Sequence, residues 1–247
     1  MKLYEILDIK REDIISIVGA GGKTTLMFYL ASELKNKGKI LVTTTTKIYN
    51  PEKEEVDYLA IGKENYDFIK NNKEHGIYVY GEGINDENKL IGVEANLIDD
   101  LKGTFDYILI EADGSKKKDL KAWNTIEPVI CSKTDKYVGV LSLATINKEI
   151  NNKNIHRVEE FLTLTNSKIG EKVNLDILIE IIFNKKGLFK GSAGENILFL
   201  NKVDKVDEDI ITLILDKITN KNKEVKILNK IIYGSLKYNF FEYINLE

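Results

Sequence analysis

Residues 14–25 read IISIVGAGGKTT, and this stretch constrains the fold more than any other. A β-branched apolar run demands a buried strand. The glycines that end it let the backbone turn through positive φ and approach a ligand closely. Successive N–H groups of Gly19, Ala20, Gly21 and Gly22 can then ring a polyphosphate. Lys23 adds a point charge for the β- and γ-phosphates. Thr24 adds a hydroxyl for Mg²⁺, and Thr25 completes the stretch. A helix opening at Lys23 turns its positive end toward the same anion. The strict pattern G-x-x-x-x-G-K-[ST] wants a glycine five residues before Gly22, where Ile17 stands. The loop is therefore shorter or tighter than the standard one, with a plain turn as the bland alternative.

A chain of 247 residues has room for one large domain or two small ones, with a substantial core. We expect a single nucleotide-binding domain over 1–247. The formal net charge of −3 provides no basic footprint for nucleic acid. Arginine, the usual phosphate and base reader, occurs only at Arg11 and Arg157. Cys131 is the lone cysteine, so neither an internal disulfide nor a cysteine-zinc cluster is possible, and Cys131 reads as a small apolar residue. His75 and His156 are too few for a histidine-rich metal site. The N-terminal MKLYEILDIKRED lacks an apolar signal core, and no run reaches membrane-spanning length. The expectation is a cytoplasmic protein with neither nucleic-acid nor membrane partners.

Strands are predicted at 13–19, 39–46, 57–61, 77–81, 105–111, 136–142, 196–201 and 225–233. Helices are predicted at 24–37, 65–72, 95–102, 157–165, 174–184 and 207–220. KILVTTT, FDYILIE and ENILFLN are near-continuous apolar runs, as in a parallel sheet buried on both faces. Leu26, Leu30 and Leu34 recur at helical spacing, as do Ile210, Ile211, Leu213, Ile214 and Ile218. Asp207 suits the N-cap of that last helix. The alternation predicts an α/β three-layer sandwich with a mostly parallel sheet. Residues 76–93 break it: two apolar runs flank a polar centre, which predicts a β-hairpin added at the sheet edge.

Ligands of open α/β sheets bind beyond the carboxyl ends of the strands. Three further strand ends carry chemistry. Thr43–Lys47 follows the second strand, either as a plain sheet end or with a hydroxyl or Lys47 near the metal or γ-phosphate. FDYILI runs into Glu111, Ala112, Asp113 and Gly114. Glu111 or Asp113 suits Mg²⁺ coordination or water activation, and the Gly114 N–H suits a γ-phosphate. NILFL runs into Asn201, Lys202, Val203 and Asp204. In GTPases N-K-x-D reads guanine, the aspartate accepting from N1–H and the 2-amino group. A polar turn is the alternative. Arg157, beside His156, can neutralise phosphate charge in cis or sit at a helix start on the surface. Lys116, Lys117 and Lys118 read as a solvated run, and Trp123 with the tail Tyr233, Tyr238, Phe240, Phe241 and Tyr243 as core or edge packing.

VGAGGKTTLM, LVTTTTKI, EADGSKKKDLKAW, EPVI, HR and LNKVD, in this order, resemble the YqeC family over residues 13–205. These are accessory proteins associated with selenium-dependent molybdenum hydroxylases. The resemblance implies a P-loop nucleotide-binding protein that assists maturation of such an enzyme. Its partners would be the hydroxylase or its cofactor-loading proteins. Gly19, Gly22, Lys23, Thr24, Glu111, Asp113, Gly114, His156, Arg157, Asn201, Lys202 and Asp204 fall on the family's motif positions. The chain departs from the pattern at Lys116 and Asp119, where the family has arginine and proline, and at Cys131, where it has proline. The motif order is also similar to that of GTPases that deliver metals to metalloenzymes.

The sequence thus supports a Mg²⁺-dependent nucleotide-binding protein with slow hydrolysis, the nucleotide being GTP or ATP and GTP the first choice. An ATP-dependent small-molecule kinase or Mur-like ligase is one alternative, with Lys116–Lys118 and Arg157 holding the acceptor. A non-hydrolysing, nucleotide-gated adaptor is another.

Overall fold

The computed structural model describes residues 1–192 and 194–246, with Lys53 described by its backbone alone. The chain is α/β, with a large, mostly parallel sheet. It divides into two compact units.

The first unit comprises Met1–Ile17, Thr24–Gly114 and Val129–Lys136. Its strands are β1 (Ile14–Gly19, whose last two residues pass into the second unit), β2 (Lys39–Thr44), β3 (Lys47–Tyr49), β4 (Tyr58–Ile61), β5 (Gly76–Gly81), β6 (Gly83–Ile84), β7 (Lys89–Ile91) and β8 (Tyr107–Glu111). Its helices are α1 (Leu3–Ile6), α2 (Lys23–Leu34, whose first residue belongs to the second unit), α3 (Tyr66–Asn71) and α4 (Ala95–Asp100). The strand order β1-β8-β2-β5-β4 is parallel throughout. Ile14, Ile15, Ile17 and Val18 of β1 are fully buried, as expected for a parallel strand covered on both faces. Each such side chain contributes about 1.5–3 kcal/mol of burial. Leu26, Met27, Leu30, Ala31 and Leu34 form the buried stripe of α2.

The expected 76–93 hairpin is resolved differently. β5 is an inner strand between β2 and β4. The hairpin is the shorter β6–β7 pair, and it joins β3 in a separate three-stranded antiparallel sheet rather than extending the main edge. GIYVYG is buried at every position, so it belongs in a sheet interior.

The second unit comprises Val18–Lys23, Ser115–Pro128 and Tyr137–Glu247. It holds β9 (Leu120–Lys121), β10 (Lys136–Ser142, entering from the first unit), β11 (Ile155–His156), α5 (Val158–Thr165), α6 (Leu175–Phe183), β12 (Glu195–Asn201), α7 (Glu208–Val225), β13 (Lys230–Ser235) and β14 (Phe240–Asn245). Its strand order is β14-β13-β12-β10, with β12 and β13 parallel and β14 antiparallel to β13.

The largest boundary differences from the sequence reading lie between α7 and β13. The strand expected from 225 starts at Lys230, because α7 runs on to Val225. Buried Asn222 makes that ending: its Oδ1 accepts from the Ile227 and Leu228 N–H groups and its Nδ2 donates to the Leu228 carbonyl. The tail forms β14, yet Tyr238, Phe240 and Tyr243 are exposed rather than packed. On α7, Ile214 and Ile218 are buried but Leu213 is exposed, and Asp207 stands at the N-cap without a side-chain capping bond. Cys131 is buried, which raises its thiol pKa to about 12, with Asp99 adding to the shift.

Candidate phosphate site

The loop after β1 adopts a backbone that only glycine accepts easily. Gly19, Gly21 and Gly22 have φ of 97°, 89° and 137°. Close approach constrains them as well. A Cβ at Gly19 would meet the Val140 carbonyl oxygen at 2.2 Å, one at Gly21 the Ser142 Cβ at 2.3 Å, and one at Gly22 the Asn201 Nδ2 at 2.4 Å. The Ala20 N–H donates to the Val140 carbonyl at 3.0 Å. This corrects the expected ring of four donors: Ala20 anchors the loop to β10 instead of facing an anion. Lys23 is buried, and its Nζ donates to the Gly19 carbonyl at 2.8 Å.

The chain continues directly from Lys23 into Thr24, which belongs to the first unit. There Thr24 Oγ1 donates to Glu111 Oε2 at 2.6 Å. Glu111 ends β8, where the register sets it between Ile17 of β1 and Thr44 of β2. The fold thus delivers an acid from β8 to the first hydroxyl of α2. Asp113, two residues on, is fully buried, and Gly114 has open space around its Cα. Thr25 is exposed on α2. The threonine run is spent on the backbone: Thr43 Oγ1 donates to the Tyr80 carbonyl, Thr44 Oγ1 to the Glu111 carbonyl and Thr45 Oγ1 to the Val129 carbonyl. Lys47 is exposed on β3. Thr46 Oγ1 lies 3.2 Å from Thr44 Oγ1, so three of the four hydroxyls serve the sheet end.

In the second unit, Asn201 and Lys202 lie against the loop and its neighbour. Asn201 Nδ2 donates to the Gly21 carbonyl at 2.8 Å. Lys202, at φ 63°, donates from Nζ to Asp119 Oδ1 at 2.5 Å. Asp204 keeps its carboxyl below the usual range, chiefly through a hydrogen bond from Ser235 and further through Lys205.

Arg157 takes a structural partner. Its Nε and Nη2 make a bidentate fork to Glu127 Oε2 and Oε1, both at 2.9 Å. Lys121 approaches Glu127 Oε2 at 3.3 Å and lies 5.4 Å from the Trp123 ring. Lys190 clasps the same turn through the Asn124, Thr125 and Glu127 carbonyls. Arg157 therefore pins the 120–128 segment. β9 and β11 pair in parallel, placing His156 beside Lys121. Burial lowers the His156 pKa to about 4, with the Lys121 and Arg157 cations next in weight. Lys121, Glu127 and Lys190 escaped the sequence reading as a cluster. A lysine within the apolar LKAW was the available signal.

A glycine-turned loop opening a helix, with a strand-end acid bonded to that helix's first hydroxyl, defines an α/β protein with a candidate phosphate site. The chain belongs to the YqeC family: a family model described as YqeC protein matches residues 15–159. It is similar to "Uncharacterized protein YqeC" of Escherichia coli (strain K12), with 29% identity over 206 residues, covering 81% of this chain and 80% of that protein. No solved structure matches the chain. The family match contains the loop, Glu111, Asp113 and Arg157, and ends before Asn201.

Proposed function

We propose that this protein binds a Mg²⁺–nucleoside triphosphate, with GTP as the preferred base, and hydrolyses it slowly in the maturation of a selenium-dependent molybdenum hydroxylase. The 2.6 Å hydrogen bond from Thr24 to Glu111 carries the reading. It joins a hydroxyl and a carboxylate oxygen at the start of the helix that the glycine loop opens. Hard oxygen donors of this kind suit Mg²⁺, which keeps waters and takes phosphate oxygens for the rest of its shell. Among the described residues no group of three or more His, Cys, Asp or Glu could hold a metal, so the nucleotide itself would complete the site.

When bound, Mg²⁺ supplies positive charge against the β- and γ-phosphates. Lys23 adds a second charge there. The N–H groups of Gly21, Gly22 and the first turn of α2 donate to phosphate oxygens. Asp113 orients the attacking water, and Asp204 accepts from the guanine N1–H and 2-amino group. The hydroxylase partner, or its cofactor-loading proteins, comes from the family resemblance.

One observation favours a second reading. Asn201 and Lys202 are engaged with Gly21 and Asp119, a structural use of the N-K-x-D letters. It leaves room for an ATP-dependent kinase or ligase.

Titration calorimetry with GTP, GDP and ATP in Mg²⁺ tests the proposal on wild type, Lys23→Ala and Asp204→Asn. The expected result is GTP binding that Lys23→Ala abolishes, with guanine preference lost in Asp204→Asn. Unchanged binding in Lys23→Ala overturns the phosphate site. ATP binding indifferent to Asp204→Asn moves the assignment to the kinase or ligase. Binding without phosphate release identifies a nucleotide-gated adaptor.

A further inference from the structure

Ser142 is fully buried at the end of β10, and its Oγ has no hydrogen-bond partner. Its place in the chain makes this unusual. Ser142 is the N-cap of the 3-10 turn Leu143–Thr145, where serine normally spends its hydroxyl on the turn's N–H groups. Here no side-chain cap forms, and the turn is closed instead by Thr145 Oγ1 donating to the Ser142 carbonyl at 2.8 Å. An unpaired buried hydroxyl costs free energy, and such a group calls for a partner from outside the chain.

The location indicates what that partner is. Ser142 packs on the phosphate loop: a Cβ at Gly21 would lie 2.3 Å from Ser142 Cβ and 3.2 Å from its Oγ. The Asp119 carbonyl lies 3.3 Å from the same point. Gly21 is therefore held between β10, the 115–128 segment and, through its carbonyl, Asn201. All of these groups belong to the second unit.

We propose that Ser142 Oγ is a phosphate ligand, donating its hydroxyl hydrogen to a phosphate oxygen of the nucleotide held at the Gly21 turn. This rests on the nucleotide-binding reading above and extends it by a donor outside the glycine loop. The hydroxyl reads phosphate and not base, so it serves GTP and ATP alike.

Calorimetry on Ser142→Ala and Ser142→Cys, with Mg²⁺–GTP and Mg²⁺–ATP, tests it beside the melting temperature of each ligand-free variant. The expected result for Ser142→Ala is about tenfold weaker binding of whichever nucleotide wild type binds. Its ligand-free melting temperature should not fall, because the alanine removes an unpaired group. Ser142→Cys, similar in size but a weak donor, should lie between. If wild type binds and Lys23→Ala does not, yet Ser142→Ala equals wild type, the Ser142 assignment fails alone and its Oγ belongs to a buried water. Weaker binding with a matching fall in ligand-free stability makes Ser142 a packing residue and also overturns it. A wild type that binds neither nucleotide overturns both readings.

Discussion

Asn201 holds Gly21 across 180 residues of chain: its Nδ2 donates to the Gly21 carbonyl at 2.8 Å. Its Oδ1 accepts from the N–H of Lys202 at 2.8 Å and of Leu236 at 3.3 Å. The amide is buried and serves three backbone groups at once. The shape of the glycine loop therefore depends on the end of β12.

Asn201→Ala leaves buried backbone groups without partners. The Gly21 carbonyl and the Leu236 N–H are the fully buried ones, and each costs about 1–3 kcal/mol, so a total loss of about 2–6 kcal/mol is expected. Urea denaturation checks the loss. Asn201→Asp keeps one acceptor but sets a carboxylate oxygen against the Gly21 carbonyl in a buried site, so it should destabilise at least as much as alanine. A midpoint unchanged in Asn201→Ala would remove the tether from the account.

Gly21→Ala and Gly22→Ala meet both a strained φ and a contact below 2.5 Å, with Ser142 and Asn201 respectively. Each should destabilise by about 1–3 kcal/mol and distort the loop. Gly114→Ala is the control, because nothing lies within 4 Å of its added Cβ. Thermal melting of the three variants should separate the loop pair from Gly114.

Glu111→Gln keeps an acceptor for Thr24 and loses the charge. Its ligand-free stability should stay near wild type, while the Mg²⁺ needed to support nucleotide binding rises by about 10–100-fold. Thr24→Val should do the same. A Mg²⁺ response indifferent to both changes would separate the Thr24–Glu111 bond from metal binding.

Glu127 joins the partly exposed Arg157 and the buried Lys121, so Glu127→Gln weakens two charge-assisted contacts. A loss of about 1.5–3 kcal/mol is expected. Burial alone would raise the Glu127 pKa, but the Arg157 hydrogen bond and then the Lys121 charge bring it below the usual 4.5. This stabilisation is present above 4.5 and is lost as pH falls through the lowered value.

His156 adds a second acid-sensitive contribution at higher pH. Its folded pKa of about 4 lies below the ordinary 6.5, so the unfolded chain binds more protons between these values. Stability should fall as pH drops through that window. Urea midpoints at about pH 7 and about pH 5 should differ less in His156→Phe than in wild type.

The alternation of apolar runs with amphipathic stretches was legible because burial imprints a period on each element. β1, β8, β10 and β12 lie close to where that pattern places them, and the glycine loop was visible because a tight positive-φ turn restricts residue choice. The hairpin was misplaced for a related reason. A buried run such as GIYVYG carries no mark of which strands flank it, since both faces are equally apolar.

Local sequence determined that this chain is α/β, that Gly19–Lys23 turns into a helix, and that acids stand at the end of β8. Only the tertiary structure decided how those groups are used. It gave Ala20 to Val140, Arg157 to Glu127, Asn201 to Gly21 and the Thr43, Thr44 and Thr45 hydroxyls to backbone carbonyls. It also left Ser142 Oγ buried beside Gly21 without a partner. The physical reason is that hydrogen-bond partners distant in sequence are set by strand order and register. A residue's chemical type shows what it can bond, and the fold determines what lies within reach.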